Sequence, residues 1–138
     1  MFLLDTNVLS AMMDEVPQPV ARWLAGTPQR FVYTASICQA EILAGIAMLP
    51  NGRRRAGLEA MANAMFGEDF NAKIWPFDSA AAEAYGNIYA DRRNAGRHTK
   101  PQDLIIAAVA FSRDAAVVTR NVHDFDDCRV AVINPWEE

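Results

Sequence analysis

Short stretches that are apolar at nearly every position alternate along this chain with patterns of helical period, and that alternation is its tightest constraint. A strand with one wet face alternates polar and apolar residues, whereas a strand covered on both faces, as parallel strands are, reads as a continuous apolar run. Phe2-Leu3-Leu4, Phe31-Val32-Tyr33-Thr34, Ala115 to Thr119 and Val130-Ala131-Val132-Ile133 read as covered strands, with a shorter one near Lys73-Ile74-Trp75. Between them lie helical signals. Val8, Leu9 and Met12 follow the cap-forming Asp5-Thr6-Asn7, and Val20, Trp23 and Leu24 form the face of a helix over 19–25 that Gly26-Thr27-Pro28 ends. Ser36 with Gln39 makes a capping-box pattern for a helix running to Met48, which Pro50-Asn51-Gly52 stops. Further helices are predicted over 53–66, from Asp78 or Ser79 to Arg93, and from Gln102 to Phe111 behind Pro101, with a short turn over 122–125. The expected class is α/β: a three-layer α/β/α sandwich around a mostly parallel central sheet, one domain over 1–138 without repeats or low-complexity tracts.

Bulk properties remove several function classes. A net charge of -4 argues against holding nucleic acid by overall positive potential, because phosphate neutralisation needs clustered Lys and Arg. Basic residues do cluster at Arg53-Arg54-Arg55 and over 92–100, either a phosphate-facing rim or simply a solvated helix end. No apolar run approaches the roughly 20 residues that span a bilayer, and the N-terminus has no basic leader, so a cytoplasmic protein without membrane contact is expected. Cys38 and Cys128 lack metal-type spacing and read as core thiols.

In open parallel sheets, ligands bind outside the carboxyl ends of the strands. Asp5 closes the first strand, Glu41 lies in the second turn after the strand at 31–34, Asp103 opens the helix leading into the strand at 115–119, and Asn121 with Asp124 follows that strand. Right-handed crossovers bring these to one rim. Glu41 shares a helical face with Ile37, Ala44 and Met48, the side expected to pack inward, where an unpaired charge is expensive without a partner or a cation. Asp103 projects with Ala107 and Ala110, small residues that leave it room. Each acid also has a plainer explanation: Asp5 as a helix cap, Asp103 as a complement to the helix dipole, Asp124 as a surface acid beside Asp126 and Asp127.

Carboxylates converging without a Cys or His ligand set suit a hard cation, Mg²⁺ or Mn²⁺, better than zinc. Such a cation activates water and neutralises charge on a phosphodiester, which points to phosphoryl transfer, with basic residues at the rim, Arg92, Arg93, Arg97 or Lys100, holding the flanking phosphates. The Gly-rich phosphate loop, the Gly-x-Ser-x-Gly elbow and the dinucleotide fingerprint are all absent from the sequence.

Four segments in order, Leu4-Asp5-Thr6-Asn7-Val8-Leu9-Ser10, Ala40-Glu41-Ile42-Leu43-Ala44-Gly45, Gln102-Asp103-Leu104-Ile105-Ile106-Ala107-Ala108 and Val118-Thr119-Arg120-Asn121-Val122-His123-Asp124-Phe125, resemble the motifs of VapC-type PIN-domain toxins. Val132-Ile133-Asn134-Pro135-Trp136 is similar as well, and 49–55 resembles the FitB-like branch. The resemblance implies a PIN-like sandwich and a magnesium-dependent endoribonuclease, the toxin of a type II toxin–antitoxin pair. It also implies a homodimer, inhibited by a small antitoxin and meeting DNA only through it. Asp5, Glu41 and Asp103 fall on the family's acidic positions and would bind the metal, with Asp124 as a fourth catalytic acid. Thr6, Asn7 and Thr119 fall on positions that orient the first carboxylate. Asn121 stands where some relatives carry Asp, which leaves open whether it or Asp124 completes the site. Two rivals remain at this level: a non-catalytic metal- or antitoxin-binding module acting through a DNA-bound complex, and a phosphatase or DNA nuclease using the same acids.

Overall fold

The computed structural model describes residues 1–137. Five parallel strands form one sheet in the order β3-β2-β1-β4-β5: β1 Phe2–Leu4, β2 Val32–Ala35, β3 Ile74–Trp75, β4 Ala116–Val118 and β5 Val132–Ile133. The strand at the centre, β1, is apolar throughout, and its Leu3 and Leu4 are wholly buried, as are Val117 and Val118 beside it. Each such leucine stabilises the fold by about 1.5–3 kcal/mol through burial alone.

Six helices fill the connections: α1 Thr6–Met12, α2 Gln18–Gly26, α3 Ser36–Ala47, α4 Arg53–Ala64, α5 Ser79–Asn94 and α6 Pro101–Ser112. Side chains alternate across a strand, so Phe2 and Leu3 mark opposite faces of the sheet. Trp23 of α2 meets Phe2 edge-on at 5.3 Å. On the other face Tyr33 stacks on Trp75 at 4.2 Å, and Arg113 at the end of α6 lies over Trp75. The α/β/α layering expected from the apolar runs is thereby present, with α6 contributing the nearly exposure-free stretch from Ile106 to Ala110.

Several local expectations are corrected. Ala35, not Ser36, occupies the N-cap of α3, and no side chain caps it, so the capping box is not made. The helix over 53–66 is regular only to Ala64 and ends in a π-helical turn, Met65–Asp69, that seats Met65, Phe66 and Phe70 in the core. The last strand shrinks to two residues, Val132–Ile133, and the chain ahead of it takes left-handed backbone angles at Asp127 and Arg129. Glu41 is exposed. The inward face of α3 is Cys38, Ile42 and Ile46, spaced by four, whereas Ala44 and Met48 lie outside.

Chain direction changes sense between β1 and β4: β1 leads towards β2 and β3, β4 leads outwards to β5. A crevice outside the carboxyl ends of such a pair is the natural ligand position of an open α/β sheet.

Candidate active site at the carboxyl end of the sheet

Asp5 is the residue immediately after β1, and its backbone N–H donates to the Val118 carbonyl of β4 at 2.9 Å, which locks it over the crevice. It is 6 % exposed. Its two oxygens show that the roles of cap and ligand are compatible. Oδ1 accepts the Thr6 backbone N–H at 2.7 Å, capping α1, and Oδ2 accepts the Thr119 hydroxyl at 2.8 Å. A carboxylate has about four lone-pair directions, so both duties leave acceptor capacity facing the crevice.

Thr119 is the hub of this corner. Besides donating to Asp5, its wholly buried hydroxyl accepts the Asn7 amide at 3.0 Å and the Asn121 backbone N–H at 3.1 Å. Asn7 also reaches Asp5 Oδ2 at 3.4 Å, and its Oδ1 accepts the Arg120 backbone N–H at 3.1 Å. Thr6 turns to the other side, its hydroxyl donating to Glu41 Oε1 at 2.9 Å. The neighbours singled out by resemblance are therefore in contact with the acids, and the tie from Arg120 to Asn7 is a backbone contact that no residue pattern announces.

Asp103 sits in the first turn of α6. Because α6 runs back towards the start of β4, its N-terminus lies at the same rim as Asp5. Burial, then the charges of Asp124 and Asp5, push the Asp103 carboxyl up from its ordinary 3.8 to about 6, and Lys100 only partly opposes them. Burial likewise raises the Asp5 carboxyl, with Glu41 and Asp124 adding to the rise against the lowering bonds from Thr119 and Thr6. The four acids thus act on one another across a single crevice. Asp124, not Asn121, supplies the charge after β4, and the hydrogen bond of Asn121 here is made through its backbone. His123 stays outside: its side chain is 94 % exposed and lies 3.3 Å from Asp126.

The donor set, four carboxylates with a hydroxyl and an amide behind them, fits a hard divalent cation. Neutral donors hold the acids, and the nearest cation, Lys100, is 4.0 Å from Asp124, so negative charge accumulates without a matching positive group. Among the described residues no three His, Cys, Asp or Glu side chains stand close enough together, as placed, to hold a metal ion.

The basic residues fare differently from one another. Arg92 is 5 % exposed and donates to the backbone carbonyls of Asp126 and His98, so the expectation that it meets RNA is corrected: it is a strut between two loops. A fixed planar fork is suited to two carbonyls at once. Arg97 pairs with Asp127 at 2.9 Å and Asp126 at 3.8 Å, and Lys100 leans towards Asp124. Arg93 is exposed, and its one side-chain hydrogen bond among the described residues is a 3.5 Å contact with the Tyr89 hydroxyl. In the other basic cluster, Arg55 pairs with Glu59 while Arg54 faces a groove beside Glu41. Both cysteines are free and buried, as expected of core thiols.

Comparison with known proteins places this geometry. The PIN domain profile matches residues 2–129. Toxin FitB of Neisseria gonorrhoeae is 35 % identical over all of both chains, and VapC ribonuclease Y4jK of Sinorhizobium fredii is 32 % identical over 99 % of each. The structure of FitAB bound to an IR36 DNA fragment contains a chain that superposes with a TM-score of 0.93 at 33 % identity, covering 100 % of this chain and 97 % of that one.

Proposed function

The chain belongs to the PIN-domain family, and on that premise we propose that it is a Mg²⁺-dependent endoribonuclease, the toxin of a toxin–antitoxin pair. The observation that carries the reading is the crevice in which Asp5 and Asp103 sit partly desolvated beside Glu41 and Asp124, whose charges push both carboxyls up, with Lys100 the one cation set against them among the described residues. A protein that needed these acids for stability alone would pair them. Mg²⁺, or Mn²⁺ in its place, when bound by Asp5, Asp103 and Glu41, supplies charge neutralisation for the phosphodiester and lowers the pKa of attacking water.

The chain's own residues set up that chemistry. Thr119 and the Thr6 N–H fix the Asp5 carboxylate in one orientation, so its outward lone pairs need no reorganisation during reaction. Thr6 steers Glu41 through its hydroxyl, which suits an exposed carboxylate that orients water at the mouth. Asp103, raised to about 6 in the metal-free protein, is still mainly ionised at neutral pH, the form that binds a cation. Lys100 and Arg93 line the approach of a polyanion to an otherwise acidic opening.

The antitoxin reading has its own support. A groove of about 420 Å³ runs from Thr6 and Glu41 between α1, α3 and α4, walled by Met13, Ile42, Ile46 and Leu58. Exposed apolar side chains of the helices that bound it are Leu43 on α3, Met48 just after it and Met61 on α4, whereas the apolar residues of α1 are buried or half-buried. An apolar segment of a small antitoxin fits such a groove, and the FitAB–DNA assembly is the precedent for a partner and for DNA. A homodimer is part of the same proposal.

The test is cleavage of a structured RNA by protein freed of its partner, with Mg²⁺ and after chelation. Metal-dependent cleavage lost in Asp5→Asn is the expected result, and cleavage that survives chelation or that substitution defeats the reading. The open arrangement of the acids favours a second reading, a non-catalytic module that ties an antitoxin to DNA. Absence of cleavage with either Mg²⁺ or Mn²⁺, alongside tight antitoxin binding, would select it.

A further inference from the structure

We infer that the cleft between α5 and the segment 96–101 is a subsite for one base of single-stranded RNA beside the scissile phosphate, with Tyr89 as its stacking surface and Arg93 as a phosphate contact. The inference rests on the ribonuclease reading above and adds a recognition element to it.

The cleft measures about 580 Å³ and is lined by Tyr85, Tyr89, Arg93, Arg97, His98 and Pro101, a size in the range of small-ligand sites. Tyr85, Tyr89 and Arg93 are four residues apart and form one ridge of α5. The rings of Tyr85 and Tyr89 are nearly parallel, 19° apart with centroids at 6.4 Å, and Phe77 meets Tyr85 edge-on at 6.0 Å. Tyr85 is half-buried and anchors the ladder, while Tyr89 keeps 40 % of its surface open. The opposite wall is built firmly. Gly96 turns the chain out of α5 with a φ of 73°, which a side chain rarely adopts, and buried Arg92 holds the His98 carbonyl.

Position and charge choose the occupant. Pro101, in the wall of the cleft, and Asp103, in the acidic crevice, share the first turn of α6. Residues 92–102 hold three arginines, a lysine and a histidine and no acid, in a chain of net charge -4. Arg97 and Lys100 lean on Asp127 and Asp124, but Arg93 pairs with no acid among the described residues. An exposed aromatic face beside an uncompensated cation, next to a phosphodiester-cleaving crevice, is the combination that binds single-stranded nucleic acid: stacking on the ring, charge on the phosphate.

The experiment measures affinity for short fluorescent single-stranded RNA with Ca²⁺ replacing Mg²⁺, together with sedimentation of each protein. Tyr89→Ala is expected to bind about 5- to 100-fold more weakly, and Tyr89→Phe, which keeps the ring, within about twofold of the parent. Arg93→Ala should lower the slope of log affinity against log salt by about 0.7. Unchanged RNA affinity in Tyr89→Ala overturns the inference, as does a Tyr89→Ala protein that passes from dimer to monomer, since the ridge is then a subunit interface. Mg²⁺-dependent cleavage alongside Tyr89-independent binding removes the subsite and leaves the ribonuclease. Tyr89-dependent binding without cleavage under Mg²⁺ or Mn²⁺ keeps the subsite and removes the ribonuclease.

Discussion

Replacing Asp103 by Asn should make the metal-free protein more stable at neutral pH while removing its response to Mg²⁺. The carboxyl titrates at about 6 instead of 3.8 because burial and the charges of Asp124 and Asp5 oppose ionisation. A shift of about two units corresponds to roughly 3 kcal/mol. Asp103 is only half-buried, and solvent screening reduces that to about 1–2 kcal/mol. The sign follows from the direction of the shift. A group whose folded pKa lies above its unfolded value contributes stability that is fully present below pH 4 and is lost as pH rises past 6. The Asp103→Asn variant keeps the shape of the side chain without its charge, so its advantage should be absent near pH 4, grow through pH 5–6 and level off by pH 7. A gain of that size raises the melting temperature of a domain of this length by about 3–6 °C. Thermal melts in EDTA from pH 4 to 8 read it directly. With Mg²⁺ the order should invert, because a ligand at 100 times its Kd stabilises the parent by about 2.7 kcal/mol and the variant has lost a ligand. An Asp103→Asn protein that is less stable than the parent at pH 7 in EDTA, or whose gain is the same at pH 4, refutes the account of an uncompensated acidic crevice.

Three other outcomes follow from the same geometry. Thr119→Val, which removes a wholly buried hydroxyl serving Asp5, Asn7 and Asn121, should cost about 2–3 kcal/mol in chemical denaturation and lower kcat more than it raises KM; an effect on KM alone would deny Thr119 its orienting role. Arg92→Ala should destabilise the fold by about 3 kcal/mol or more, since the Asp126 and His98 carbonyls lose their donor, whereas Arg93→Ala should leave the melting temperature within about 2 °C; the reverse pattern in melting curves would restore Arg92 as a surface residue. Met61→Asp and Met48→Asp, at exposed apolar positions, should weaken capture of a co-expressed antitoxin at least tenfold in calorimetry without changing RNA cleavage, and unaltered binding in both would move the partner away from α3 and α4.

The layered architecture was legible because covered parallel strands must be apolar at every position, and Phe2-Leu3-Leu4 and Ala115 to Val118 can hardly be read otherwise. The ends of elements were less so. The left-handed backbone at Asp127 and Arg129, ahead of the last strand, is conformation that side-chain pattern does not encode. Asp5 and Asp103 were readable from their places at a strand end and a helix start. Glu41 was selected by a correct rule applied to the wrong face: α3 is apolar nearly all round, so sequence period could not tell the face on the sheet, Cys38-Ile42-Ile46, from the one carrying Glu41. Arg92 and Arg93 are adjacent in sequence and about 100° apart on a helix, and only packing separates the buried strut from the exposed cation.

What distinguishes the acidic crevice from an ordinary surface ion-pair network is the kind of group that holds it together. Several acids elsewhere are answered by cations: Asp127 by Arg97, Asp91 by Arg129, Glu59 by Arg55, Asp78 by Arg113. At the crevice the donors to Asp5 and Glu41 are two threonine hydroxyls, an amide and a backbone N–H, all neutral. Neutral donors orient a carboxylate without cancelling its charge, and an arginine in the same place would do both. Orientation kept and charge retained is the state in which binding a divalent cation releases the most repulsion, so under the proposed function the stability forgone in the metal-free protein should reappear as metal affinity.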